Sequence, residues 1–246
     1  MNSERIKLSV IIPAYNEERR IGPTLLDIDR YLSQQDYASE VLVVIDGAKD
    51  NTASVVKKYE EMIDNLRVIN NQENHGKGYV VRQGLLEANG QYRLFMDADN
   101  STTVNHVEKF FPALEEGYSV VIGSRDLKES KISKHQAKWK EFLGNAGNLL
   151  IQGIGGLWGI PDTQCGFKVL TAEAADKVCR AMKIDRWGFD IEMLVLAKKM
   201  GFRIQQLPVE WKNDEDSKVS VGAYFQTLKE LFQIRWNLIS RKYDLK

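Results

Sequence analysis

Two carboxylates, Asp97 and Asp99, stand on either side of a single alanine directly after an apolar run. Alternate side chains of an extended chain point to the same side, so both carboxylates are expected to face one direction. Two hard oxygen ligands that leave coordination positions open suit Mg²⁺ or Mn²⁺ holding a diphosphate. An isolated Asp-x-Asp is more often a solvated turn, so the metal interpretation depends on the motifs around it.

Four further polar motifs also begin where an apolar run ends. They are Pro13-Ala14-Tyr15-Asn16-Glu17-Glu18, Asp46-Gly47-Ala48-Lys49-Asp50, Asn74-His75-Gly76-Lys77-Gly78 and Gly123-Ser124-Arg125. In a parallel sheet these strand ends meet at one edge, which is where open α/β sheets bind ligands. Lys77 adds a cation and backbone amides at a helix start, a suitable place for an anion. Taken singly, the Asp46 motif also fits a plain turn and the Lys77 motif a flexible helix entry.

The elements that must position these motifs alternate between two periods. Continuous apolar runs predict strands at residues 8–12, 41–45, 66–69, 92–96 and 119–122, and helical spacing predicts helices at 21–32, 52–63, 78–88 and 104–114. Thr52 is the expected N-cap of the second helix, and Gly90 is the expected C-cap of the third. This alternation predicts an α/β fold with a mainly parallel sheet covered by helices on both faces.

The second half is less regular. Residues 173–182 and 191–200 are predicted to be helical, 203–211 to form a strand, and the basic segment 128–140 to form a loop or short helix. Residues 142–161 carry no charge but contain six glycines, so they are too polar and flexible for a membrane span and instead suggest a membrane-facing surface. Apolar residues with helical spacing predict a long amphipathic tail helix: Tyr224, Phe225, Leu228, Leu231, Phe232, Leu238 and Ile239.

The overall composition is that of an ordinary globular protein. The 246 residues include 34 Lys and Arg against 34 Asp and Glu, so the formal charge is zero. A general nucleic-acid binder carries an excess of cations, and no nucleic-acid partner is therefore expected. Cys165 and Cys179 are too few for a disulfide framework or a zinc site and are expected to be small buried thiols.

The combined motifs resemble the family 2 glycosyltransferases of GT-A fold. Within that family they most resemble the dolichyl-phosphate β-glucosyltransferases, which are related to the dolichyl-phosphate mannosyltransferases. The residues that favour the glucosyl subclass are Thr163-Gln164-Cys165-Gly166-Phe167-Lys168, Arg186-Trp187, Phe189-Asp190-Ile191-Glu192, and Trp211 followed by Ser217-Lys218. The resemblance implies one continuous domain, in which residues 1–125 bind the nucleotide sugar and residues 126–246, with the tail helix, bind the acceptor.

The resemblance also implies roles for individual residues. The implied donor contacts are Pro13, Ala14, Tyr15, Glu17, Asp46, Lys77 and Asp97. The implied ligands of Mg²⁺ or Mn²⁺ are Asp97, Asp99 and Ser101. Arg125 and Lys218 are the implied contacts of the acceptor phosphate. Asp99, Arg125 and Asp190 are the implied catalytic residues, with Asp190 either a base or a ligand of sugar hydroxyls.

The activity that follows from the resemblance is inverting transfer of glucose from UDP-glucose to a polyprenyl phosphate. Three alternatives remain: a mannosyltransferase that uses GDP-mannose, a family 2 transferase with a soluble saccharide acceptor, and a non-catalytic nucleotide-sugar binding module. A lipid acceptor implies contact with a membrane surface, so the protein is expected in the cytoplasm, peripherally bound to the cytoplasmic face of a membrane. The apolar face of the tail helix suits such a surface, a homodimer contact or packing on the domain.

Overall fold

The computed structural model describes residues 5–132, 138–212 and 221–245, and all their side chains except those of residues 131, 132, 138–146 and 221. Within these ranges the strands are β1 (Leu8–Ala14), β2 (Ser39–Asp46), β3 (Leu66–Asn71), β4 (Tyr92–Met96), β5 (Val120–Ser124), β6 (Lys131–Ile132), β7 (Phe167–Thr171), β8 (Ile204–Pro208) and β9 (Glu210–Trp211). Seven of them form one sheet in the order β3-β2-β1-β4-β7-β5-β8, and β6 pairs with β9.

The helices cover both faces of this sheet. They are α1 (Ile21–Leu32), α2 (Thr52–Glu60), α3 (Lys77–Glu87), α4 (Phe111–Glu115), α5 (Lys138–Gly155), α6 (Ala172–Ala181), α7 (Phe189–Lys199) and α8 (Val221–Ile239), with a 3₁₀ helix at Val104–Lys109. One apolar core joins the sheet to α1, α2, the 3₁₀ helix and α4. A second core, on the opposite face, joins the sheet to α3, α5, α6, α7 and α8.

The central strands are apolar along their whole length because both of their faces are covered. In β1, Val10 and Ile12 pack into the core beneath α1, whereas Ile11 packs into the core beneath α3. All three side chains are fully buried. The period of two along the strand divides one continuous apolar run between two cores, and the prediction of a mainly parallel α/β sheet is confirmed.

Strand β7 was missed by the sequence prediction. It lies between β4 and β5 and is antiparallel to both. Its run Phe167–Thr171 contains Lys168, whose side chain is fully buried. Because β7 and β8 follow residue 125 in the chain but pair with β5, the sheet continues across the predicted boundary between the two halves.

Several predicted boundaries were wrong. Asn51 is the N-cap of α2, and Thr52 is its first helical residue. Helix α3 ends at Glu87 with Ala88 as its extended C-cap, and the Gly90 amide instead donates to Ser9 Oγ at 2.8 Å. Residues 104–114 divide into a 3₁₀ helix and α4, and 203–211 divide into β8 and β9. Most of the glycine-rich run belongs to α5, which packs against α7 and α8.

Candidate active site

A cleft of about 320 Å³ opens at the carboxyl edge of the sheet. Its described lining residues are Pro13, Ala14, Tyr15, Glu17, Arg20, Asp46, Asn74, Gly76, Lys77, Val80, Asp97, Ala98, Asp99, Arg186 and Trp187. All seven residues that the resemblance implied as donor contacts are in this set, and so is Asp99. The loops after β1, β2, β3 and β4 therefore converge as expected for a mainly parallel sheet.

Asp97 lies on the wall of the cleft in contact with Lys77. Asp97 Oδ1 is 2.6 Å from Lys77 Nζ, and the Asp97 amide donates to Gly166 O at 3.2 Å. A Cβ atom on Gly166 would lie 2.1 Å from Asp97 Oδ2, so only glycine allows this carboxylate its place beside β7. Burial lowers the pKa of Lys77, but the carboxylates of Asp97, Asp190 and Asp99 outweigh it and raise the pKa overall.

Asp99 faces the same cleft and is held by Ser101. The Ser101 amide donates to Asp99 Oδ1 at 2.9 Å, and the Ser101 carbonyl accepts from the Lys212 amide at 2.9 Å. Burial, and then the charge of Asp97, raise the pKa of the Asp99 carboxyl. A cation between the two carboxylates would relieve that repulsion, so this pair fits a divalent metal ion.

The pair supplies two ligands and leaves the others to a bound molecule or water. The described residues include no group of three or more His, Cys, Asp or Glu that could hold a metal ion. A diphosphate oxygen is a ligand that Mg²⁺ and Mn²⁺ accept readily. Ser101 contacts Asp99 in this structure, and its implied role as a metal ligand stays a prediction.

Asp46 ends β2 and organises the loop before α3. Its Oδ1 accepts from the His75 amide at 2.7 Å, and its Oδ2 accepts from the Gly76 amide at 2.9 Å and from Asn74 Nδ2 at 2.8 Å. These bonds place Lys77 at the first turn of α3 beside the cleft. An ionised carboxylate has about four acceptor sites, so one remains for a bound molecule.

Glu17 and Arg20 form an ion pair at the entrance to α1. Arg20 Nη2 lies 2.6 Å from Glu17 Oε2, and the Glu17 amide donates to Thr52 Oγ1 at 2.7 Å. The hydroxyl of Thr52 thus joins the loop after β1 to the start of α2. Glu17 is buried, and both members of the pair line the cleft.

Asp190 is buried at the first turn of α7. Its carboxylate pairs with Lys168 Nζ, which also donates to Cys165 O at 2.7 Å. Burial raises the pKa of Asp190 against the opposing charges of Lys168 and Lys77. The residue is 4% exposed and lies outside the described lining of the cleft, so its implied role as a base stays a prediction.

Arg125 also lies outside the described lining of the cleft. Its Nε and Nη2 bond both oxygens of Asp162 at 2.8 and 2.7 Å, and its guanidinium stacks over the Trp211 ring at 5.3 Å. Burial tends to raise the pKa of Asp162, but the Arg125 charge outweighs it and holds that pKa below its usual range. Lys218, the second implied contact of the acceptor phosphate, lies outside the described residues.

The structure adds cleft residues to which the sequence analysis assigned no role. Arg20, Asn74 and Val80 come from elements already expected at this edge, whereas Arg186 and Trp187 come from the distant connection between α6 and α7. Arg186 is exposed and has no carboxylate partner among the residues described. The sequence indicated Arg186 only through the Arg186-Trp187 pair, which is among the residues that favour the glucosyl subclass. Only the folded structure shows that this pair reaches the cleft.

Open α/β sheets bind their ligands at the carboxyl edge, and the cleft at this edge carries paired carboxylates and cations on its walls. The family model described as glycosyl transferase family 2 matches residues 9–179. The chain belongs to this family.

The chain is similar over nearly its whole length to curated members of the family. It is 35% identical to a dolichyl-phosphate β-glucosyltransferase of Trichomonas vaginalis, with 97% of this chain and 78% of that protein covered. It is 34% identical to the dolichyl-phosphate β-glucosyltransferase of Mus musculus, with coverage of 98% and 78%. The resemblance deduced from the motifs is therefore confirmed.

A solved structure supports the GT-A fold. Glucosyl-3-phosphoglycerate synthase of Mycobacterium tuberculosis, crystallised with Mn²⁺, UDP and glucosyl-3-phosphoglycerate, superposes with a TM-score of 0.68. The match covers 94% of this chain and 80% of that one at 18% identity. The fold class predicted from the sequence is confirmed.

Proposed function

We propose that this chain transfers glucose from UDP-glucose to a polyprenyl phosphate of the dolichyl type, with inversion at the anomeric carbon and release of UDP. The observation that carries the proposal is the cleft in which Asp97, Asp99 and Lys77 meet, in a chain similar over most of its length to dolichyl-phosphate β-glucosyltransferases. The volume of the cleft, about 320 Å³, is within the range of small-ligand pockets.

The donor is proposed to lie along the cleft from the loop after β2 to the carboxylate pair. Asp46 retains one acceptor site for a nucleoside donor, and Tyr15 lines the same wall. Lys77 and Arg186 supply positive charge for the two phosphates. Lys77 is also paired with Asp97, whereas Arg186 has no carboxylate partner among the residues described. When bound at Asp97 and Asp99, Mg²⁺ or Mn²⁺ would neutralise charge on the departing diphosphate.

The acceptor phosphate is its own nucleophile. One of its oxygens forms the new bond to the anomeric carbon while the bond from that carbon to the UDP oxygen breaks on the opposite face. A phosphate monoester carries about −1.5 to −2 charge at pH 7, so the reaction needs no protein base. This agrees with Asp190 being buried and paired with Lys168, and we assign Asp190 to positioning of Lys168.

A panel of labelled nucleotide sugars tests the function. UDP-glucose, GDP-mannose and UDP-N-acetylglucosamine would each be incubated with polyprenyl phosphate in liposomes, with Mg²⁺ or Mn²⁺, and label would be counted in the organic phase. We expect label from UDP-glucose alone and none after chelation of the metal. Label from GDP-mannose instead, or transfer only to a soluble saccharide, would replace the proposal with one of the alternatives above. Donor binding without any transfer would indicate a binding module.

A lipid acceptor requires access to a bilayer, and α8 carries a surface that fits one. Its outward stripe of exposed apolar side chains consists of Phe225, Leu228, Phe232, Trp236 and Ile239. At 100° per residue Lys229 and Arg235 lie on opposite sides of this stripe, and both are exposed. Among the residues described, no helix is both long and apolar enough to cross a membrane. We propose that the stripe rests on the membrane surface with its cations among anionic headgroups.

Flotation with phosphatidylcholine vesicles, with and without phosphatidylserine, tests the surface. We expect the protein to float with vesicles that contain phosphatidylserine, and the double substitution Phe232→Ser and Trp236→Ser to abolish flotation. Met62→Ser is the matched control. Met62 is also an exposed apolar side chain, but it follows α2, on the face of the sheet away from α8. A stripe variant that floats normally but changes from dimer to monomer in light scattering would identify the stripe as a dimer contact.

A further inference from the structure

The connection between α6 and α7, residues 182–188, brings two side chains into the cleft without regular structure of its own. Arg186 and Trp187 line the cleft, and Gly188 is the N-cap of α7. A helix start leaves its first amides without partners inside the helix, and glycine has no side chain to cap them. The position of Arg186 and Trp187 therefore depends on groups from elsewhere in the chain.

One such group comes from α8. The Gly188 amide donates to Glu230 Oε2 at 2.6 Å, and Glu230 is only 5% exposed. A Cβ atom on Gly188 would lie 2.8 Å from Glu230 Cβ, so the helix approaches the connection closely enough to require glycine there. The other oxygen of Glu230 accepts from Gln226 Nε2 at 2.7 Å, so this bond and the bond to Gly188 use different oxygens.

The start of the connection is held in a similar way. Glu192 of α7, fully buried, accepts from the amides of Lys183 and Ile184 at distances of 2.9–3.1 Å. Tyr243, which follows α8, donates its hydroxyl to Glu192 Oε1 at 2.7 Å. The segment from α8 to Tyr243 therefore supports the connection that carries Arg186 and Trp187 at both of its ends. At one end Glu230 accepts from the Gly188 amide, and at the other Tyr243 donates to the carboxylate that holds the first amides.

We infer that Glu230 is a positioning residue for the donor: through the Gly188 amide it holds Arg186 and Trp187 in the wall of the cleft, and Tyr243 supports the same connection through Glu192. This inference rests on the proposed function for the nature of the donor. It gives α8 a second task, because the inner face of the helix shapes the cleft while its outer face carries the apolar stripe.

The test compares two substitutions at position 230. Glu230→Ala removes the acceptor of the Gly188 amide, whereas Glu230→Gln retains a carbonyl oxygen that can accept the same bond. The readouts are the Kd for UDP with Mn²⁺ by calorimetry, and kcat and KM for UDP-glucose. For Glu230→Ala we expect Kd and KM to rise about tenfold, because the free energy of one hydrogen bond to a charged group corresponds to about that factor. We expect kcat to change much less. Glu230→Gln should restore both values to near those of the unchanged protein.

Gln226→Ala is the matched control, since it removes a neighbour of Glu230 and leaves the bond to Gly188 in place. A merely structural role for Glu230 would lower the folded fraction and hence kcat, with Kd and KM unchanged, and that result would overturn the inference. Equal loss of donor affinity in Glu230→Gln and Glu230→Ala would overturn it as well.

If Glu230→Ala does not fold, Tyr243→Phe decides the question, because it removes only the hydroxyl that donates to Glu192. A raised Kd for UDP in Tyr243→Phe supports the inference, and an unchanged Kd contradicts it. UDP binding is measured separately from transfer, so a protein that binds UDP but transfers no glucose would contradict the proposed function while leaving this test valid.

Discussion

The two halves of the chain use charged side chains differently. In the first half, Asp97, Asp99 and Lys77 remain on the walls of an open cleft. In the second half, charged groups of the same types bond to other parts of the fold, as Asp162 does with Arg125 and Lys168 with Asp190. The residue type at a strand end therefore does not determine whether it meets a ligand. We propose that an ion pair in the interior, such as that of Lys168 with Asp190, keeps both of its members from a ligand.

The difference follows from which elements supply the partners. Cleft residues of the first half stand on loops after neighbouring parallel strands, so their charges face a common space that the sheet leaves open. Lys168 lies in β7 and Asp162 precedes that strand, which enters the sheet between β4 and β5 and is surrounded by other elements. A charge there is buried, and burial without a partner is costly.

The largest expected effect is the loss of transfer in Asp99→Asn. Its neutral amide cannot match the charge of the paired carboxylates, and we expect kcat to fall about 10³-fold, as for other groups that stabilise transition-state charge. The measurement is label in the organic phase, with circular dichroism as the check that the variant folds. Asp126→Asn, an exposed carboxylate of the second half, is the control and should change kcat less than about twofold. Near-normal transfer by Asp99→Asn would contradict the role of the carboxylate pair.

The next largest expected effect is on the free energy of unfolding, and it separates Lys168 from Lys77. Lys168→Met leaves Asp190 without its direct partner in the interior, and we expect the free energy of unfolding to fall by about 3 kcal/mol. Lys77→Met breaks a partly exposed pair, so its cost should be below about 1 kcal/mol. Urea unfolding without ligand measures both.

A second substitution separates pairing from packing in this comparison. Adding Asp190→Leu to Lys168→Met should recover much of the lost stability, because no unpaired charge then remains at that position. If Lys77→Met instead destabilised the fold as much as Lys168→Met, the proposed difference between the halves would be wrong.

The sequence predicted the cleft well because local patterns determine it. Continuous apolar strands require a covered parallel sheet, and a parallel sheet brings the loops after β1 to β4 to one edge. Strand β7 was missed because Lys168 interrupts its apolar run, and the partner that makes this lysine tolerable, Asp190, is 22 residues away. The glycine-rich run was interpreted as flexible, yet most of it lies in α5, where packing against α7 and α8 overrides weak helix propensity.

Arg125 and Arg186 show the same limit of sequence-based prediction at the level of individual residues. Both were in motifs of the resemblance, but only Arg125 was expected to bind phosphate. The position of a residue at a strand end is readable from the sequence, whereas the ion pair of Arg125 with Asp162, 37 residues later, requires the folded chain. The cation that lines the cleft without a carboxylate partner among the described residues is Arg186.

Replacing each of these two arginines by alanine is expected to have a smaller effect, on the KM for UDP-glucose or on stability. Arg186→Ala should raise the KM for UDP-glucose about tenfold, because a charge-assisted bond to phosphate is lost. Arg125→Ala should lower the free energy of unfolding and leave that KM within about twofold. Steady-state kinetics and urea unfolding of both variants make the comparison. An increase in the KM for polyprenyl phosphate in Arg125→Ala would support the acceptor role that the sequence implied.

The smallest expected effect is on acid stability, and its sign differs between the halves. Arg125 keeps the folded pKa of Asp162 below its unfolded value of about 3.9, so the stabilisation is complete above that pH and is lost as pH falls through the folded pKa. Burial and Asp97 raise the folded pKa of Asp99, so its stability contribution is complete below the unfolded value and is lost as pH rises from there through the folded pKa.

Asp162→Asn should therefore be less stable than the unchanged protein at neutral pH and lose less stability on acidification, whereas Asp99→Asn should be slightly more stable at neutral pH. Urea unfolding of each protein across the acid range, with a chelator and without UDP, measures these differences. A change of the same sign in both variants would mean that the cleft carboxylate is stabilised by the fold as Asp162 is, and the proposed division between ligand-facing and fold-holding charges would not hold.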